Sequence, residues 1–148
     1  MADDLVDRLL AQTGLHIGTS RDTREDAAPQ VARIMVTALP GRAAVTFDYE
    51  GLTLLTTRER PFGHSEHSVL GRTSSGLALY TAHIHASVLT ELRETEPSYF
   101  EAVEGASPFP LAIRIEVPSA SRLIYTWSFG EPGAELAVGI TGDVTLVG

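Results

Sequence analysis

Short segments in which apolar and polar residues alternate dominate the chain from residue 31 onward. A period of two places successive side chains on opposite faces of a β-strand, whereas an amphipathic helix repeats every ~3.6 residues. Turn sequences separate these segments, among them LPGR (39–42), TSSG (73–76) and GEPG (130–133). Gly, Pro and Ser at such positions are typical of hairpin connections. The pattern therefore predicts a series of consecutive antiparallel strands.

The number of these segments limits the set of possible architectures. The segment 87–104 is mixed, but Pro97 would interrupt a helix there and YFEAVE alternates, which favours two short strands. Nine to eleven strands without crossover helices leave a closed barrel or a two-layer sandwich, and closure removes exposed sheet edges. We predict an all-β fold, a single antiparallel up-and-down β-barrel. The other predicted strands are VARIMVTAL (31–39), AAVTFDYE (43–50), LTLLTT (52–57), HSEHSVLGR (64–72), LALYTAHIHA (77–86), LAIRIEV (111–117), RLIYTWSF (122–129), AELAVGI (134–140) and DVTLV (143–147).

A short helix is expected before the sheet. Leu5, Val6, Leu9 and Leu10 have helical spacing, and Asp3 or Asp4 can cap the first turn. This predicts a helix over 3–12, a polar surface loop over 20–30 and barrel strands over 31–147. At 148 residues, the chain has the length of one domain, 1–148.

Charge and composition exclude several classes of partner. Eleven Lys and Arg against nineteen Asp and Glu give a net charge of -8, which repels the phosphates of nucleic acids and anionic lipids. The chain has no cysteine, so it has no disulfide and no thiolate ligand for a metal. Its acidic start and the lack of a long apolar run argue against a signal peptide and a membrane span. We expect a cytoplasmic protein that binds neither nucleic acid nor membrane.

Four of the five histidines lie within residues 63–86. If TSSG closes a hairpin with a two- or four-residue loop, partners have numbers that sum to 149. Glu66 then opposes His83, His64 opposes His85, and all four side chains share one face. A three-residue loop would shift the sum to 150, so that His67 opposes His83 and Glu66 moves to the other face. In both registers a histidine of the first strand meets His83 and His85.

One interpretation places this cluster in the barrel interior. Imidazole titrates near neutral pH and burial can raise the pKa of a carboxyl group, so Glu66 and His83 are candidates for acid and base. The stripe of RLIYTWSF (122–129) suggests aromatic walls, in which Tyr125 and Trp127 carry donors. The predicted ligand-binding residues are His64, His67, Arg72, Tyr80, His85, Tyr125 and Trp127.

Two other interpretations remain open. Imidazoles and a carboxylate on adjacent strands suit a divalent transition metal, with His64, Glu66, His83 and His85 as the ligands. Alternatively, the histidines are exposed to solvent or lie at the interface of a homodimer, and the apolar opposite face of the hairpin packs in the core.

The order of helix, strands and HSEHSVLGR (64–72) resembles the small calycin barrels of the fatty-acid-binding-protein type. In the nitrobindin-like branch, an H-x-E segment with a downstream Arg is similar to His64, Glu66 and Arg72. No histidine lies near the C-terminus, where that branch places its haem ligand, so haem is not predicted. A second resemblance joins HIH (83–85) and Glu91 to the first metal-binding motif of cupins. The calycin resemblance implies a lumen for an apolar small molecule.

Together these features predict a protein that binds a small, largely apolar organic molecule inside a lipocalin-like barrel. Cofactor-free acid–base catalysis, such as isomerisation or cyclisation, would use the same cluster. The alternatives are a cupin-like metal-dependent enzyme and a non-enzymatic dimeric interaction domain.

Overall fold

The computed structural model is a closed barrel of antiparallel strands that follow one another in chain order, and the first strand pairs with the last. It describes residues 3–23, 29–51 and 64–148. This confirms the predicted up-and-down barrel with a short helix in front of it. The elements are α1 (Leu5–Leu10), β1 (Gly14–Asp22), β2 (Gln30–Ala38), a 3-10 turn (Pro40–Arg42), β3 (Ala44–Gly51), β4 (His64–Thr73), β5 (Gly76–His83), β6 (Thr90–Glu96), β7 (Tyr99–Ala102), β8 (Leu111–Ser119), β9 (Arg122–Phe129) and β10 (Ala137–Leu146).

Helix α1 closes one end of the barrel. Asp4 accepts a hydrogen bond from the backbone N–H of Asp7, whose own carboxylate faces the N–H of Asp4, so the first turn has a reciprocal cap. The apolar face of α1 is fully covered and packs on β2, β3, β4 and β8. Six residues are too few for a stable isolated helix, so the burial of this face holds it. We call this the closed end of the barrel and the opposite end the mouth.

The prediction of a polar loop over 20–30 is wrong at both ends, because β1 extends to Asp22 and β2 begins at Gln30. Strand β1 itself was not predicted. Its interior positions include His16 and Ser20, while Ile17 faces outward, 45% exposed. The polarity of β1 is therefore inverted relative to an ordinary half-buried strand, which hides it from a search for apolar alternation.

The C-terminal strand also differs from its prediction. AELAVGI (134–140) and DVTLV (143–147) belong largely to one strand, β10, so the residues between these two predicted strands continue the strand instead of separating them. Gly142 lies within this strand, and the Tyr49 ring packs directly over it. An added Cβ would be 2.6 Å from Cε2 of Tyr49, so this position requires glycine. The segment 87–104 forms two strands, β6 and β7, as predicted. The predicted strand 52–57 lies outside the described residues.

The barrel interior is filled by side chains from the inward face of every strand. Its largest fully buried members are aromatic, and the remainder are mostly Leu, Ile and Val. No helix in the described part of the chain has the length and apolar composition needed to cross a membrane. The described part of the barrel therefore has a packed core. The largest buried aromatic residues are Phe47, Tyr49, Phe100, Tyr125 and Trp127.

Candidate functional site

The register of the β4–β5 hairpin is the one in which paired residue numbers sum to 149. Glu66 opposes His83, and the ladder runs down to Thr73 opposite Gly76. Beyond β5, the N–H of Ile84 donates to the carbonyl of Ser65 at 3.1 Å, which continues the same register toward the mouth. The hairpin therefore presents the predicted imidazoles and the carboxylate to the barrel interior.

Three side chains form a buried chain from the interior toward the mouth. Nε2 of His64 lies 3.5 Å from Oε1 of Glu66, and Nδ1 of His64 lies 3.1 Å from Nε2 of His85. His64 is 0% and Glu66 is 1% exposed, whereas His85 is half-buried in the turn after β5. We call these residues the Glu66–His64–His85 chain. It connects an enclosed carboxylate to a histidine near the surface.

Hydroxyl groups hold the Glu66 carboxylate in place. Thr81 donates to Oε2 of Glu66 at 2.9 Å, and Ser68 donates to Thr81 at 2.8 Å. Burial raises the pKa of Glu66, but the adjacent His64 ring, with smaller contributions from the Tyr125 and Thr81 hydroxyls, lowers it below its ordinary value. The Tyr125 hydroxyl acts on this carboxylate by proximity, since the two groups are not aligned as a hydrogen bond. Glu66 is therefore a buried carboxylate at neutral pH.

His83 lies beside the chain in a defined tautomer. Its Nδ1 accepts the backbone N–H of His85 at 3.2 Å, so the neutral ring carries its proton on Nε2. Burial lowers the pKa of His83. The Glu66 carboxylate raises this pKa in part, and His64 lowers it again. The imidazole of His83 is therefore neutral near pH 7, with one N–H donor in the interior.

Trp127 of β9 stands between the histidines and the mouth. Its ring centroid lies 5.1 Å from those of His64 and His83 and 4.9 Å from that of His85. On its other sides it packs against Phe129 at 5.2 Å and Phe109 at 6.2 Å. The indole thus joins the polar cluster to a group of aromatic side chains.

A cavity of about 540 Å³ opens beside these rings. His85 and Trp127 line it together with aromatic and proline residues, and we call it the mouth cavity. A volume of this size suits a small organic molecule, and concave, mainly apolar walls with few polar groups are typical of ligand sites. The full lining consists of His85, Pro108, Phe109, Trp127, Phe129, Gly130, Glu131 and Pro132.

Most unpartnered buried polar atoms gather behind the mouth cavity. Among the described residues, six buried side-chain polar atoms have no hydrogen-bond partner, and one of them, Oγ1 of Thr90, lies on β6. Buried polar groups are normally paired, so this concentration marks a region that is not optimised for stability alone. The other five are His64 Nε2, Glu66 Oε1, His83 Nε2, Tyr125 Oη and Trp127 Nε1.

Three of the predicted ligand-binding residues lie elsewhere. His67 points outward from β4 and contacts Asp48 at 2.5 Å, with 67% of its side chain exposed. Tyr80 points outward from β5 and donates to Glu91 at 3.3 Å. Arg72 lies at the closed end, where it binds the carboxylates of Asp4 and Asp7. His64, Glu66, His83, His85, Tyr125 and Trp127, in contrast, lie together.

Several residues of the site were not identified from the sequence. Phe109 comes from the loop between β7 and β8, which has no periodic pattern to reveal its direction. Ser68 and Thr81 oppose each other across β4 and β5, but nothing in a Ser or Thr alone marks it as a hydrogen-bond partner of a carboxylate. Phe129 lies on the same face of β9 as Tyr125 and Trp127. This alternating aromatic pattern is the sequence signal that could have identified it.

The alternative metal site finds no geometric support in the described residues. In residues 3–23, 29–51 and 64–148, no three His, Asp or Glu side chains converge as ligands of one ion would. Nδ1 of His64 faces another imidazole, and Nδ1 of His83 accepts a backbone N–H. These nitrogens serve the internal hydrogen-bond network.

No known protein-family model matches this chain, and no curated protein has a significantly similar sequence.

Proposed function

We propose that the protein binds a small, largely apolar organic molecule in the mouth cavity. The observation that carries this proposal is the cavity itself, which is bounded by Trp127, Phe109 and Phe129 and has His85 in its wall. Apolar surface removed from water contributes roughly 25 cal/mol per Å², and a few polar groups then fix the orientation of the ligand. A calycin-like barrel with a lumen ligand is the closest functional analogy to this arrangement.

Cofactor-free acid–base catalysis is a second candidate, for a separate reason. An imidazole in the cavity wall is linked through His64 to a buried carboxylate, with 3.1 Å and 3.5 Å between the linked atoms. Histidine is the side chain best suited to proton transfer near neutral pH, and a partly enclosed site strengthens the fields that support such transfer. Isomerisation or cyclisation of the bound molecule would use this chemistry.

The fluorescence of Trp127, the single tryptophan of the chain, provides a direct test of binding. A panel of neutral aromatic compounds should change its emission saturably, and native mass spectrometry of the purified protein should show a co-purified or added molecule at one-to-one stoichiometry. Phe129→Ala should weaken binding by removing one wall of the cavity. Tyr80→Ala, an aromatic truncation on the outer face of β5, is the matched control and should bind as wild type does.

Two results would contradict the proposal. One is a panel that leaves Trp127 emission unchanged at ligand concentrations up to solubility. The other is equal binding by wild type and Phe129→Ala, which would place the ligand outside the mouth cavity.

A further inference from the structure

We infer that a second cavity, formed by the loops after β7 and β9, binds a small organic ammonium ion with an apolar body. The cavity has a volume of about 630 Å³, and Pro108, Phe109 and Pro132 line both this cavity and the mouth cavity. We call it the loop groove. The inference goes beyond the proposed function, because it assigns a separate site and a charged class of ligand.

The walls of the loop groove are preformed. In the β7–β8 loop, the N–H of Ala106 donates to the carbonyl of Val103 at 2.9 Å and closes a turn. The N–H of Gly130 donates to the carbonyl of Pro110 at 3.3 Å, which ties this loop to the loop after β9. Prolines with a fixed φ stiffen the lining further, at positions 108, 110 and 132. A wall that is already ordered loses little conformational entropy when a ligand binds.

Much of the lining is apolar. Leu111 is 2% exposed, and Phe109 is partly buried against the barrel core. Leu136 adds apolar surface from the loop after β9. Covering such surface favours binding by roughly 25 cal/mol per Å², and the volume lies within the range of small-molecule sites. The occupant therefore has an apolar body of small-molecule size.

The charged groups of the lining are acidic. Glu101 of β7 and Glu104 in the turn after it both line the loop groove. Among the described residues, none that lines the groove is Lys, Arg or His. Carboxylates in such a lining attract a cation and repel an anion, and the net charge of -8 acts in the same direction. The occupant therefore carries a positive charge.

The protein does not neutralise these two carboxylates itself. Arg93 opposes Glu101 in the β6–β7 ladder, but its guanidinium binds Glu91 instead. In the part of the chain that the structure describes, neither Glu101 nor Glu104 forms an ion pair. An ammonium group supplies the opposite charge and up to three N–H donors for carboxylate oxygens. Both side chains are exposed, so solvent screening keeps each attraction modest.

The test compares three nitroaromatic probes about one pH unit below the pKa of 4-nitrophenol. At this pH 4-nitrobenzylamine is a cation, 4-nitroanisole is neutral with the same number of heavy atoms, and 4-nitrophenol is neutral but keeps a hydrogen-bond donor. The backbone amides of Gly105 and Gly133 line the loop groove and not the mouth cavity, so their NMR shifts report binding at this site. The cation should bind there roughly 2- to 30-fold more tightly than either neutral probe, and less so in high salt.

A double variant identifies the groups that recognise the charge. Glu101→Gln with Glu104→Gln should bind all three probes equally, with the affinity of wild type for 4-nitroanisole. The matched control is Glu50→Gln with Glu116→Gln, which removes the same charge from the outer faces of β3 and β8, away from the groove lining. This control should keep the wild-type preference for the cation.

Several outcomes would overturn the loop groove as a cation site. They are equal affinity of wild type for 4-nitrobenzylamine and 4-nitroanisole, equally tight binding of 4-nitrophenol, and no amide shift with any probe up to its solubility. None of these comparisons depends on a variant that folds. A preference for the cation that survives in Glu101→Gln with Glu104→Gln has the same meaning. Failure of the mouth-cavity proposal is distinguishable, because it appears as unchanged Trp127 emission with the neutral panel.

Discussion

The two ends of the barrel both contain buried histidine, but they use it differently. At the closed end, His16 is 0% exposed, and its ring nitrogens face the carbonyl of Gly14 at 3.2 Å and the side chain of Gln12 at 2.9 Å. Gln12 in turn donates to the carbonyl of Ser119 at 3.2 Å. At the mouth, His64 and His83 each present a buried Nε2 without a hydrogen-bond partner.

The contrast shows which end of the barrel is built for stability. At the closed end, the His16 ring, the Gln12 side chain and the Arg72 guanidinium all have polar partners, as expected of a network that only has to hold helix and strands together. At the mouth, unpartnered groups lie behind a cavity whose wall includes Trp127, and natural proteins depart from local stability rules in this way at functional sites. The following predictions test this division.

The largest effect is expected from the core of the closed end. Leu9 is fully buried on the inner face of α1, and Leu9→Ala should lower the free energy of unfolding by about 2–5 kcal/mol through lost burial and a residual cavity. Phe129→Ala at the half-buried mouth should cost clearly less. Urea denaturation followed by circular dichroism measures both, and an equal loss would contradict the division between the ends.

Acid should destabilise the protein through groups at both ends. Burial lowers the folded-state pKa of His16 and of His83 from 6.5, so the unfolded chain binds these protons more readily. The free energy of unfolding should therefore fall as the pH drops below 6.5. The lowered pKa of Glu66 adds a second loss, which begins near its unfolded value of 4.5 and continues as the pH falls through the folded-state pKa.

Single variants separate these contributions. His16→Gln and His83→Gln should each flatten the pH dependence below 6.5, because each removes one group whose folded-state pKa is lowered. Thermal melts across a pH series are sufficient to detect this. A melting temperature that rises on acidification would contradict the assignment. So would a pH dependence of the melting temperature that neither substitution changes.

A smaller effect is expected from Arg72→Gln. This guanidinium bonds Asp4 and Asp7 at 2.7 Å, but about a third or more of each side chain is exposed, so solvent screening limits its contribution. We expect a loss of about 1 kcal/mol or less that diminishes in high salt, with no change in ligand binding. Weaker binding of 4-nitroanisole in this variant would restore Arg72 to the ligand site.

The smallest effect is expected from His67→Ala. The side chain is on the outer face and two-thirds exposed, so both stability and binding should stay near wild type, with a change within about 0.5 kcal/mol. Isothermal denaturation and Trp127 quenching measure the two quantities. A larger change would indicate a partner on the outer face of β4.

The hairpin was predictable in part because its information is local. The sequence left two registers open, and the structure adopts the one with a two-residue turn at Ser74 and Ser75; alternation then fixes which side chains share a face. The same alternation shows that the prediction of Tyr80 as a ligand-binding residue did not follow the rule. Its neighbours Leu79 and Thr81 are buried inside the barrel, so Tyr80 faces outward.

The errors arise where longer-range geometry decides. Arg72 shares β4 with His64, yet eight residues at about 3.3 Å each separate them by roughly 26 Å, which places them at opposite ends of the barrel. β1 was missed because its interior face is polar and its outer face carries Ile17. Phe109 enters from a loop whose path depends on the closed barrel. None of these features has a signature in a short window of sequence.

The most direct test of the central claim is long-range ¹H–¹⁵N NMR of the five histidine side chains with and without 4-nitrophenol. Binding in the mouth cavity should shift the ring nitrogens of His64, His83 and His85 and leave those of His16 and His67 unchanged. Shifts confined to His16 or His67, or none at any histidine while the probe is bound, would contradict the assignment of function to the mouth.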